Sequence, residues 1–181
     1  MRIDTPVYIA FLAGVWLLHQ LTPQRHRWLT LFLASLGFYA TLVAPLLLVS
    51  LGLEAALAWG LGNRMSRRET GPSRLRLLWV GIAVNIAIMV FVKYLQQLAG
   101  AFVPSAVPVA ADAHLFVTVG VSYFTLQSIS YLADIYLGRI PPEPHLGRLA
   151  LFLGFFPKLL QGPIERGGDL LPQLRAADPV S

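Results

Sequence analysis

Leu115–Leu137, LFVTVGVSYFTLQSISYLADIYL, is the stretch that decides the fold. A bilayer core takes about 20 apolar residues in a helix, and this run is long enough, with Asp134 its only charged residue. Inside it Tyr123, Gln127, Ser130, Tyr131 and Asp134 recur at steps of four, three, one and three, which places them on one helical face. Phe124, Ile129, Leu132 and Ala133 supply the opposite face, with Leu126 near the boundary. The spacing therefore predicts a helix half against lipid or core and half against a polar interior. An acid at membrane depth is costly unless it is paired or hydrated, so Asp134 needs a partner, and Arg139, Lys158 and Arg166 are the candidates.

The rest of the chain repeats the pattern. Val7–Leu21 and Trp28–Val43 carry no charge, Pro45–Leu61 carries only Glu54, and Leu77–Leu98 is interrupted by Asn85 near its middle and Lys93 toward its end. Composition agrees: the 181 residues are 56% hydrophobic and 13% charged, with a mean hydropathy of +0.63, which excludes most soluble folds. No period-two alternation suggests a barrel strand, and neither an internal repeat nor a low-complexity tract is present. The expected fold is all-α, a polytopic helical membrane protein with about five transmembrane helices (7–21, 28–43, 45–61, 77–98 and 115–137) and a re-entrant or broken helix over 149–164.

Charge placement sets the topology. Trp28–Leu61 could be one helix kinked at Pro45 or two helices; only two put Arg25 and Arg27 on the same side as the basic loop of Arg64, Arg67, Arg68, Arg74 and Arg76. Those arginines, with Arg139 and Arg148, are expected on the cytoplasmic side of a bacterial inner membrane, and the amino terminus outside. Arg2 is followed by Asp4 and no Ala-x-Ala pattern precedes the second run, so the first run is expected to be retained rather than cleaved. The sixth run differs, because Pro157 and Lys158 interrupt it and Gly162-Pro163 closes it. Broken backbone is tolerated at membrane depth only where protein or a water-filled cavity meets it. Ser66–Ser73, Ala99–Ala113 and Gly138–Leu146 read as linkers, the last stiffened by Pro141, Pro142 and Pro144.

Several chemistries are excluded. The absence of cysteine rules out disulfides, thiolate metal sites and a cysteine nucleophile. His19, His26, His114 and His145 lie at span ends or in loops, where none is placed as a general base, and no metal-ligand spacing, catalytic-triad order or phosphate-binding glycine loop occurs. The net charge of +5 comes from arginines set between apolar runs, not from a basic face with interleaved aromatics, so nucleic acid is not an expected partner. Two features remain: the polar face of Leu115–Leu137, and the string Phe155–Arg166, FFPKLLQGPIER. There the Gly-Pro break frees backbone polar groups, and the planar guanidinium of Arg166 suits a phosphate or carboxylate.

Val119–Tyr136, VGVSYFTLQSISYLADIY, resembles the "G-I-S-F-Y-T-F-Q-x-I-S-Y-L-I-D-V-Y" segment of bacterial membrane-bound O-acyltransferases, and Phe155–Arg166 is similar to that family's "F-F-P-x-x-x-x-G-P-I-x-R". Shorter echoes are LASLGFY at Leu33–Tyr39 and Val92-Lys93-Tyr94. The branch resembled carries out alginate O-acetylation and D-alanyl transfer to teichoic acid. The resemblance implies transfer of an acetyl or D-alanyl-like group from a cytoplasmic thioester donor, acyl-CoA or an acyl-carrier protein, to a hydroxyl of a cell-envelope polysaccharide, with no bound cofactor. It implies that Gln127, Tyr131, Asp134, Pro163 and Arg166 help wall the reaction chamber as supporting rather than proton-transferring groups; Tyr123 and Ser130, on the same helical face, and Gln161, in the same string, join them as candidate substrate-binding residues. Membrane lipid, a complementary carboxy-terminal half, an acyl carrier and a periplasmic acyltransferase are the partners it implies.

The resemblance covers only the amino-terminal half of the family's pattern. Its intramembrane histidine, the expected catalytic base, has no counterpart in this chain, so no catalytic residue is assigned and residues 1–181 are expected to be inactive alone. Two other readings stand beside this one. The chain could be a non-catalytic membrane protein that binds a lipid or protein partner through the polar face of the fifth helix. It could also be a small transporter, which inverted repeats would favour.

Overall fold

The computed structural model describes residues 6–41, 45–68, 71–102, 111–157 and 167–175, and every regular element among them is helical. In chain order the helices are α1 (Pro6–Leu21), α2 (Arg27–Thr41), α3 (Pro45–Ser66), α4 (Pro72–Phe102), α5 (Ala111–Tyr136), α6 (Leu146–Leu153) and α7 (Gly167–Arg175). A single 3-10 turn, Gln24–His26, joins α1 to α2. Proline opens α1, α3 and α4, at the position where its missing N–H would have no intrahelical acceptor in any case.

Three helices make the centre. α5 packs against both α3 and α4, which also pack on each other; α6 lies on α3 and α2, α2 on α1, and α7 against α6 and α5. The close approach of α4 depends on Gly81, because a Cβ there would lie 2.7 Å from Leu132 Cδ1 on α5 and 3.1 Å from Leu61 Cδ1 on α3. An aromatic cluster ties the outer helices in: Phe156 sits 5.3 Å from Phe38 and 5.4 Å from Phe11 between ring centroids, and Tyr39 meets Phe124 edge-on at 5.7 Å.

Several boundaries differ from the sequence expectation: α3 runs on to Ser66 past the expected Leu61, and α4 starts at Pro72 ahead of the expected Leu77. α4 runs through Phe102 and α5 starts at Ala111, so both ends of the expected Ala99–Ala113 linker are helical, in keeping with the helix-favouring Leu98, Ala99 and Ala101. The sixth run is broken at Gly154, ahead of Pro157 and Lys158. There the backbone passes so near α3 that a Cβ would fall 2.5 Å from Leu51 Cδ2. Residues 158–164 of that run lie outside the described residues.

Among the described residues one helical stretch, Pro72–Tyr94, is long and apolar enough to cross a membrane, and Tyr8–Leu21 is a shorter apolar helix. Both turn large apolar side chains outward: Trp79, Val84, Val90 and Phe91 on α4, and Ile9, Trp16 and Leu17 on α1.

Candidate functional site

The polar residues of α5 are interior. Tyr123, Gln127, Tyr131 and Asp134 are all buried, whereas Ser130 is half-buried at the margin of the open side of the helix, where Leu126 is 50% exposed. The opposite face divides between core and open side: Phe124 and Leu132 are fully buried where α5 is enclosed by its neighbours, and Ile129 and Ala133 lie with Ser122, Leu126 and Ser130 on a narrow open arc. The stripe of Tyr123, Gln127, Tyr131 and Asp134 thus borders the open arc from within the protein.

Tyr131 is the best-anchored member. Its ring packs on Phe152 of α6 at 6.3 Å, and its hydroxyl accepts a hydrogen bond from the Glu143 N–H at 2.9 Å. One turn on, Asp134 forms an ion pair with Arg139 at 3.4 Å, one of the three partners the sequence offered. Gly138 reverses the chain at φ +70°, a conformation that costs glycine least, and the Arg139 N–H donates to the Asp134 carbonyl at 2.9 Å. Arg74, at the start of α4, donates through Nη2 to the Ile135 carbonyl, which ties the start of α4 to the end of α5.

The proline-rich loop after α5 is folded down onto the helices. Glu143 is fully buried; its Oε1 lies 3.2 Å from Arg148 Nε and accepts from the His145 N–H at 3.2 Å. Trp59 of α3 donates through Nε1 to the Pro144 carbonyl at 2.9 Å. The sequence reading passed over Glu143, Arg148 and Trp59 as site-building residues. The available signal was an acid set among prolines, which cannot be solvated freely once its loop is held rigid.

Of the second motif, Gln161, Pro163 and Arg166 lie outside the described residues. Its flanks do not. Phe156, the second residue of the string, is buried in the aromatic cluster. Gly167, the residue after it, is backed by Ile140 and Tyr131: a Cβ there would sit 2.9 Å from Ile140 Cδ1 and 3.7 Å from Tyr131 Cδ2. The chain that leaves the second motif therefore rests on the central tyrosine of the first. No group of His, Asp or Glu suited to a metal ion occurs among the described residues.

Comparison with known proteins decides the family. Over 179 residues, 96% of its length, the chain is 30% identical to the probable alginate O-acetylase of Pseudomonas syringae pv. tomato, and it matches that of Pseudomonas aeruginosa to the same extent. It is 28% identical over 176 residues to the peptidoglycan O-acetyltransferase of Helicobacter pylori. The chain belongs to the membrane-bound O-acyltransferase family. As a member of that family it is short, spanning 34% of each of those two alginate O-acetylases and 32% of the Helicobacter protein. No family model and no solved structure matches the chain.

Proposed function

We propose that this chain is the amino-terminal portion of a polytopic membrane-bound O-acyltransferase of the bacterial inner membrane, which passes an acetyl or D-alanyl-like group from a cytoplasmic thioester to a hydroxyl of an envelope polysaccharide. The observation that carries the reading is the buried polar stripe of Tyr123, Gln127, Tyr131 and Asp134 on α5, in a chain 30% identical over 96% of its length to an alginate O-acetylase. The relatives' names, alginate O-acetylase and peptidoglycan O-acetyltransferase, support acetyl transfer to an envelope polymer. The apolar outward faces of α1 and α4 support a bilayer around it.

In this reading Tyr123, Gln127, Ser130, Tyr131 and Asp134, with Gln161, Pro163 and Arg166, form a wall that orients donor and acceptor. Arg166 holds a phosphate or carboxylate of the donor. The base that takes the acceptor hydroxyl's proton belongs to the complementary part of the enzyme, as does acceptor choice. The wall contributes by position: hydrogen-bonding side chains held by packing lose little entropy when substrate arrives.

A photocrosslinking residue at Leu126, on the open arc of α5, tests this in membranes containing the chain. Capture of an acyl-thioester probe or of the complementary acyltransferase polypeptide is the expected result. Capture of lipid alone, matching a control crosslinker at Trp79 on α4, would overturn it.

A further inference from the structure

A second polar line runs along α5, away from the proposed substrate wall. Thr125 Oγ1 donates to Glu54 Oε1 of α3 at 2.7 Å, and both residues are fully buried or nearly so. The other carboxyl oxygen, Glu54 Oε2, is buried and has no hydrogen-bond partner. Two more buried oxygens share that condition, Ser128 Oγ on α5 and Asn85 Oδ1 on α4, whose Nδ2 is already spent on the Gly81 carbonyl at 2.8 Å.

Helix register brings them together. Gly81 marks the level at which α4 meets Leu132 and Leu61. One turn further along α4 is Asn85, and one turn back along α5 is Ser128. Another turn in the same direction reaches Thr125 and its bonded partner Glu54. The small Ala55 and Ala58, both buried, line α3 beside them. Three packed helices thus contribute buried oxygen atoms at neighbouring levels of their shared core, and those without a hydrogen-bond partner are a carboxyl, an amide and a hydroxyl oxygen.

Among the described residues Glu54 takes part in no ion pair; the ion pairs there are Arg139 with Asp134 and Arg148 with Glu143. A buried carboxyl is paired with a cation, coordinates one, or is held neutral by a proton, and the first two differ from the third in responding to added cation. All-oxygen ligands suit a hard ion, and one carboxylate balances a single charge, whereas calcium sites take six to eight oxygens, commonly from several carboxylates. We propose that Glu54, Thr125, Asn85 and Ser128 form a binding site for a monovalent alkali cation, with sodium the fitting probe, that joins α3, α4 and α5. The site is separate from the substrate wall and does not depend on the acyltransferase reading.

The test is thermal unfolding of the full chain in detergent, in sodium chloride against N-methyl-glucamine chloride at equal ionic strength. Sodium a hundredfold above half-saturation is expected to raise the melting temperature by roughly 5 °C or more, and Glu54→Gln and Ser128→Ala to abolish or sharply reduce the increment. Sodium-23 NMR line broadening by the wild-type chain provides a second readout should Glu54→Gln fail to fold. Unfolding indifferent to sodium, with no line broadening, would mean that Glu54 is neutralised by a proton and the proposal is wrong. An increment that survives Glu54→Gln would place the ion elsewhere and overturn it equally.

Discussion

Arg148 places Nε 3.2 Å from Glu143 Oε1, with 8% of the arginine side chain exposed and none of the glutamate. The pair spans the turn between the proline-rich loop and α6. Taking both ions from water is costly, so the pair is not a large net source of stability, but removing one partner strands the other. Glu143→Ala is expected to destabilise the chain by about 3–5 kcal/mol. Replacing the pair together with apolar residues of similar volume should recover most of that loss. Denaturant titration in detergent of the single and double variants checks both statements, and a double variant as unstable as the single one would contradict them.

Tyr131→Phe removes the hydroxyl that accepts the Glu143 N–H and leaves that donor buried. A loss of about 1–3 kcal/mol is expected, with the Glu143 amide exchanging hydrogen faster than in the parent chain. Trp59→Phe removes a bond of similar length, Nε1 to the Pro144 carbonyl. Trp59 is partly exposed, however, and water can reach the freed carbonyl, so the expected cost is smaller, about 0.5–1 kcal/mol. Equal losses in the two variants would show that burial does not govern the difference.

Gly154→Ala drives a methyl to 2.5 Å from Leu51 Cδ2, and Leu51 is itself buried. Overpacking of this kind costs about 1–3 kcal/mol. Because the clash is with one flexible side chain, Leu51→Ala should relieve part of it. A double-mutant cycle on unfolding free energies is expected to give a favourable coupling of at least about 0.5 kcal/mol. Strict additivity would place the obstacle elsewhere.

The helices were legible in sequence where apolar runs are long, and at Pro45 the opening proline marked the start as well, whereas Pro72, read as linker, opens α4. The polar stripe on α5 was legible from spacing alone, since Tyr123, Gln127, Tyr131 and Asp134 do share an interior face. Periodicity could not show that Phe124 and Leu132, on the other side, are equally buried, because one helix's pattern does not say how many neighbours enclose it. Nor could it pair Glu54 with Thr125 or Trp59 with Pro144, contacts made between distant segments that only the packing of α3 against α5 and the loop creates. The break at Gly154 escaped the sequence for a similar reason: the close approach there is made by Leu51, on another helix.

Topology is open to a clean chemical test because the chain contains no cysteine. Arg74 bonded to Ile135 holds the start of α4 beside the end of α5, so the basic loop and Arg139 share one side. The arginine-rich side is expected to be cytoplasmic. Arg67→Cys and Arg139→Cys should therefore both react with a membrane-impermeant maleimide only when it is admitted to the cytoplasmic face. Phe91→Cys and Val84→Cys, on the outward apolar face of α4, should react slowly from either side, since thiolate formation and reagent access both require water. Rapid labelling at position 91 in intact membranes would remove the bilayer from around α4, and with it the inner-membrane placement of the proposed acyltransferase. Labelling of positions 67 and 139 from opposite sides would break the helix arrangement that the Arg74 hydrogen bond defines.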